Sequence, residues 1–180
     1  MPKRRLTMPA RASRYVSLLG LCCLLGACGF QLRGIGDGGA ALPDNWKQMH
    51  LSTGNPNSEL SRDVQSVFAA NGIQWQEKKD ANFDLILGPE RFKQTNLSLN
   101  SEARVSEYEL ELQAQFSVSD AEGNEVMALT SASVMRQMEN DPRNVQGKSE
   151  EIRILKSEMR TQLSQQILRR IGFFASTTVR

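Results

Sequence analysis

Within the stretch Val105 to Val118, the twelve positions from Glu107 to Val118 alternate polar and apolar without a break. Tyr108, Leu110, Leu112, Ala114, Phe116 and Val118 fall on one side; Glu107, Glu109, Glu111, Gln113, Gln115 and Ser117 fall on the other. Strand side chains point alternately to opposite faces, so this is a strand with one buried and one polar face. A turn at Asp120-Ala121-Glu122-Gly123-Asn124 leads into Glu125 to Arg136, its expected antiparallel partner. A second periodicity follows Asn140-Asp141-Pro142. Ile152, Leu155, Met159, Leu163, Ile167 and Ile171 form a helical stripe, which predicts a helix from about Ser149 to Ile171, stopped by Gly172. Upstream, Leu60, Val64, Val67 and Phe68 share one face of a shorter helix, opened by Ser58 or Ser61 and closed by Asn71-Gly72. Trp46 to Thr53, Ile73 to Gln76 and Phe83 to Phe92 read as extended, with a bend at Gly88-Pro89. Thr95 to Arg104 reads as a hairpin arm. The order of elements predicts an α/β (α+β) two-layer sandwich, a mixed, mostly antiparallel sheet of about four strands packed against two helices.

The first 27 residues have a different logic. Lys3, Arg4, Arg5, Arg11 and Arg14 precede an apolar run from Tyr15 to Leu25. As a helix of about 1.5 Å per residue the run spans roughly 16 Å, too short for a hydrocarbon core of about 30 Å. It reads as a secretion signal of the general route, since the surroundings of Arg4-Arg5 do not suit a twin-arginine signal. Leu25-Gly26-Ala27-Cys28 closes it and resembles a lipobox, which makes Cys28 the acylated first residue of the mature chain. Gly29 stands where an aspartate would resemble an inner-membrane retention signal, so the expected address is the outer membrane, on its periplasmic side. The implied layout is signal at 1–27, lipidated tether at 28–44, a domain at 45–174 and a short tail at 175–180.

Removing the signal changes the chemistry on offer. The whole chain has 22 basic and 20 acidic residues, but the signal contains five of the bases and none of the acids, leaving a mature net charge of −3. The composition argument for nucleic acid disappears. Cys22 and Cys23 leave with the signal and Cys28 carries lipid, so no thiol remains for disulfide or thiolate chemistry. His50 is the only histidine, so neither a His-based metal cluster nor a Cys–His pair can be assembled, and the serines near turns have no triad. No glycine-rich phosphate loop is present. No cofactor is expected beyond the N-acyl and S-diacylglycerol lipid on Cys28. Glu107, Glu109 and Glu111 project about 7 Å apart. They form either a solvated or partner-facing sheet surface or, less economically, a cation or acid–base site. Arg91, Lys93 and Arg104 suggest a basic rim beside the Thr95–Asn100 segment.

Several short segments together resemble one family. Cys28-Gly29-Phe30-Gln31-Leu32-Arg33-Gly34 at the mature start is similar to the LPS-assembly lipoprotein LptE (RlpB) family. So are Leu60-Ser61-Arg62, Asn71-Gly72, Ser106-Glu107-Tyr108-Glu109-Leu110 and Asp141-Pro142 in the same order over about residues 28–173. The resemblance implies a non-enzymatic outer-membrane lipoprotein that sits 1:1 as a plug in an LptD-like β-barrel, assists its assembly, and binds lipopolysaccharide on its way to the surface. Family basic residues implicated in that binding map to Lys148, by spacing from Pro142, and to the loop before the long strand. There this chain has Asn100-Ser101-Glu102-Ala103, and Arg104 is the substitute; Arg91 and Lys93 complete the candidate set. The competing expectation is an independent periplasmic lipoprotein that grips glycan or lipid with no barrel partner.

Overall fold

A computed structural model describes residues 42–140 and 145–178. The signal, Cys28, the Cys28–Gly34 segment and the Asp141-Pro142 step lie outside the described residues. A short 3-10 turn, Asp44–Trp46, leads into β1 (Gln48–Thr53), helix α1 (Glu59–Ala70), β2 (Gln74–Trp75), β3 (Phe83–Leu87), β4 (Arg91–Leu99), β5 (Val105–Asp120), β6 (Glu125–Glu139) and helix α2 (Val145–Thr178). Two layers result, a six-stranded mixed sheet and a helix pair. The α/β sandwich expected from the sequence is present with two more strands than expected. One of them, β2, has only two residues, and the Phe83 to Phe92 segment divides into β3 and β4.

α1 begins where Ser58 accepts a hydrogen bond from the Ser61 amide at 3.1 Å, a cap that contributes about 1 kcal/mol. It ends at Asn71, with Gly72 at φ +89°, a conformation glycine adopts without a Cβ penalty. The α1 crossover sets β2 parallel to β1, and β3 pairs parallel on the other edge of β1. β5 is the spine of the antiparallel half. On one edge it pairs with β3 through residues 116–120 and with β4 through residues 105–113; on the other it pairs with β6. β3 and β4 are thus two halves of one broken strand. At the break the Gly88 amide still donates to the Gln115 carbonyl at 2.8 Å. A Cβ on Gly88 would lie 3.1 Å from that oxygen, tighter than an ordinary contact, so the approach favours glycine.

The core is the predicted one. Leu110, Leu112, Ala114, Phe116 and Val118 of β5 meet Leu60, Val64 and Phe68 of α1 and Met159, Leu163, Ile167 and Ile171 of α2. Trp46 is buried here too, stacked on Phe83 at 3.9 Å between ring centroids and edge-on to Phe174 at 6.1 Å. Leu42, placed by the sequence in the tether, is buried in the same cluster.

α2 departs from expectation at both ends. It starts at Val145, and it runs through Gly172 to Thr178. A mid-helix glycine costs about 1 kcal/mol relative to alanine. Here the stripe continues beyond it: Ala175 is fully buried and Phe174 reaches Trp46, so packing outweighs the penalty. At about 1.5 Å per residue the helix is roughly 51 Å long. The polar side of β5 is also drier than its pattern suggests, because Ser117 and Ser119 are buried at the β3 end. There Ser119 lies opposite Asp84, whose carboxylate accepts from Ser52 Oγ at 2.9 Å and pairs with Lys78 at 3.0 Å.

Candidate functional site

β4, β5 and β6 together form a three-stranded extension whose register sorts every side chain. Residues directly opposite one another in an antiparallel pair share a face. Phe92, Leu112 and Val134 therefore face the helices, while Lys93, Glu111 and Met135 face away. The outward surface carries Arg91, Lys93 and Thr95 from β4, Glu107, Glu109, Glu111 and Gln113 from β5, and Ser131, Ser133 and Gln137 from β6. Much of it is hydrogen-bonded within itself: Ser98 Oγ donates to Glu107 at 2.7 Å and Gln113 Nε2 donates to Ser131 Oγ. Lys93 stands opposite Glu111, so the glutamate row meets a cation across the strands. Among the described residues no three His, Cys, Asp or Glu side chains are grouped to hold a metal ion. The row is a polar surface. A shallow groove of about 400 Å³ lies along its β6 edge, lined by Glu109, Met135, Arg136 and Gln137.

The far end of this extension gathers the other candidates. The β4–β5 turn is built on Asn100, whose side-chain oxygen accepts from the amides of Glu102 at 3.0 Å and Arg104 at 2.9 Å. Leu97 and Leu99 are exposed beside it. Asn140, at the end of β6, donates from its backbone to Ser106 and from its side chain to the Val105 carbonyl, fixing the β6 exit against the start of β5. From the first turns of α2, Lys148 extends Nζ to the Tyr108 hydroxyl at 2.7 Å and lies 3.9 Å from the ring centroid. No carboxylate pairs with Lys148 among the described residues. A half-buried ammonium offset by only a ring and a hydroxyl keeps its attraction for an anion. Arg104 is more exposed and shares its charge with Glu102 at 3.6 Å.

Of the four basic residues singled out by the sequence, Lys148 and Arg104 belong to this tip. Arg91 and Lys93 lie further along β4, opposite Gln113 and Glu111, on the face turned away from Tyr108 and Lys148. The four do not form one continuous rim, because Arg91 and Lys93 pair well along β5 on its outward face, whereas Arg104 sits in the turn and Lys148 meets Tyr108 on the helix side.

A second cluster has no counterpart in the sequence reading. Arg160 of α2 is buried, donates two hydrogen bonds to Glu90 at 2.7 and 2.8 Å, and pairs with Glu59 of α1. The hydrogen bond to Glu90 raises its pKa further above the ordinary arginine range. With Arg62, Asp63, Arg153 and Ser157 it lines a polar cleft of about 220 Å³ between the helices. Burial pushes the Asp63 carboxyl above its usual value, with nearby Arg160 opposing the shift. The only sequence signal was a basic residue directly beside Met159 in the apolar stripe. The cluster ties both helices to the β3–β4 break, a structural role.

Comparisons with known proteins agree with this geometry. The family model LptE, described as lipopolysaccharide-assembly, matches residues 46–171. An LPS-assembly lipoprotein LptE of Yersinia pestis is 28% identical over 159 residues, covering 86% of this chain and 73% of that protein. The crystal structure of rare lipoprotein B from Shewanella oneidensis superposes with a TM-score of 0.62 at 30% identity, covering 73% of this chain and 96% of that one. A solution structure of an uncharacterized lipoprotein B from Nitrosomonas europaea shares the fold, with a TM-score of 0.67 at 22% identity, over 82% of this chain and 93% of its own. With the match running from the first strand's approach to the last turns of the long helix, the chain belongs to the LptE lipopolysaccharide-assembly family.

Proposed function

We propose that the mature protein is an outer-membrane lipoprotein, anchored through Cys28, that plugs an LptD-like barrel in a 1:1 complex and holds lipopolysaccharide at its tip without catalysing a reaction. The observation that carries this reading, beside the family membership, is the outward face of β4–β5–β6. It is a long, ordered, polar sheet surface with Glu109, Gln113 and Gln137 on it and the helices all on the other side. Barrel lumens are polar, and such a face stays satisfied there through direct and water-mediated hydrogen bonds. The tip supplies a cation, Lys148, whose charge suits the phosphates of lipopolysaccharide, with Arg104 and the exposed Leu97 and Leu99 nearby. Arg91 and Lys93, the other two candidates for lipopolysaccharide contact, then lie on the barrel-facing surface.

Affinity purification of the acylated protein from detergent-solubilised outer membranes tests the reading. A single barrel of LptD type at 1:1 is expected, and its recovery should fall when Glu109 and Gln113 are both replaced by tryptophan. A monomer that still binds lipopolysaccharide would favour an independent periplasmic lipid-binding lipoprotein. Undiminished barrel recovery with the tryptophan pair would place the contact elsewhere.

A further inference from the structure

The end of the domain opposite the tip has an apolar groove of about 380 Å³, lined by Met127 of β6 and by Gln166, Arg169, Arg170, Phe173 and Phe174 of α2. Phe173 is 72% exposed although it is a large aromatic on a helix whose other face is core. Arg169 is exposed and has no hydrogen bond or ion pair among the described residues. Arg170 reaches across to donate to the Ser131 carbonyl. The chain enters the fold at this same end: Trp46 packs edge-on against Phe174, and Leu42 is buried in the same cluster.

From these positions we infer that the Phe173 end of α2 docks on the bilayer, with Phe173 and Phe174 at the headgroup–acyl boundary and Arg169 on a lipid phosphate. The inference rests on the reading of Cys28 as a lipid anchor. Between that anchor and Leu42 lie residues 28–41, including Gly29, Gly34, Gly36, Gly38 and Gly39. Fully extended, these 14 residues reach about 50 Å at most. The groove beside Trp46 therefore lies at the end of the domain that the anchored chain enters, whereas the tip lies farther off, Lys148 being roughly 38 Å from Phe173 along α2. Aromatic rings paired with arginine are the side chains that settle at a membrane interface, the ring in the apolar boundary and the guanidinium on phosphate.

The test uses the full acylated protein on phosphatidylethanolamine–phosphatidylglycerol vesicles that contain a spin-labelled quencher lipid. Once the signal is removed and Cys28 acylated, an introduced thiol is unique. A fluorophore on Thr177→Cys, which lines the groove, should lose about half or more of its emission, consistent with burial of roughly 5–10 Å into the boundary. The same fluorophore on Ser101→Cys, in the tip turn, should lose little. Adding Phe173→Asp to Thr177→Cys should bring its quenching down to the Ser101→Cys level; Phe173 is exposed, so the fold tolerates the change. Equal quenching at the two sites, or no response to Phe173→Asp, overturns the docking surface while leaving the anchor intact. Protein that does not float with the vesicles overturns the anchor and the docking together.

Discussion

Arg160→Met removes a guanidinium whose side chain is 9% exposed and leaves the aliphatic stem packed between the helices. The stranded partner is Glu90, 25% exposed, which loses two short hydrogen bonds at once. Glu59 is 61% exposed and rehydrates easily. Taking one member from a fully buried ion pair costs about 3–5 kcal/mol, and from an exposed pair about 0–1. Glu90 has a quarter of its side chain in water, so we expect a loss of about 2–3 kcal/mol. In urea, with a slope of about 2 kcal/mol/M, the unfolding midpoint should fall by roughly 1–1.5 M at unchanged slope. Glu59→Gln should cost under about 1 kcal/mol. A double-mutant cycle between Arg160→Met and Glu90→Gln should return a coupling of about 1–2 kcal/mol. A midpoint within about 0.2 M of the parent, or a coupling near zero, would refute the view that this pair clamps α2 onto the strand break.

Other substitutions probe separate parts of the fold. Trp46→Ala removes a buried ring that touches Phe83 and Phe174, and should cost about 3–5 kcal/mol in thermal or urea unfolding. Gly88→Val forces a side chain against the Gln115 carbonyl and should cost about 1–3 kcal/mol, read as a lower melting temperature. Asp63 is held protonated to higher pH in the folded state than in the unfolded chain, so its contribution to stability falls as pH rises from about 3.8 through the folded value. Asp63→Asn should therefore gain stability relative to the parent between pH 3.5 and pH 7, and a constant difference across that range would contradict the burial argument. Lys148→Met should lower lipopolysaccharide affinity about tenfold, the worth of one charged hydrogen bond, with little change in unfolding midpoint. Unaltered binding would remove Lys148 from the tip site.

What could be read from the sequence follows the range of the forces involved. The β5 alternation, the Ser58 cap, the Asn71-Gly72 stop and the α2 stripe are local patterns, and each stands in the structure as expected. The helix stop at Gly172 was misread because a local breaker was weighed without the distant partners of Phe174 and Ala175. Pro89 and Gly88 signalled a bend, yet nothing local showed that both halves would share one edge of β5. At the site, Lys148 came from the family resemblance, matched by its spacing from Pro142, but its partner Tyr108 lies 40 residues away and reads as a core position. The Glu90–Arg160 pair, 70 residues apart, has no short-range signature at all. Arg91 and Lys93 were grouped with Arg104 by proximity in the chain, but β4 carries them back along β5 to Gln113 and Glu111, away from the turn that holds Arg104.

The most direct test of the account is depletion of the protein in the cell that makes it, followed by measurement of lipopolysaccharide at the surface and in the periplasm. A barrel plug that receives lipopolysaccharide predicts less surface lipopolysaccharide, accumulation in the periplasm, and less correctly oxidised LptD-like barrel. Normal surface lipopolysaccharide after depletion would contradict the central claim.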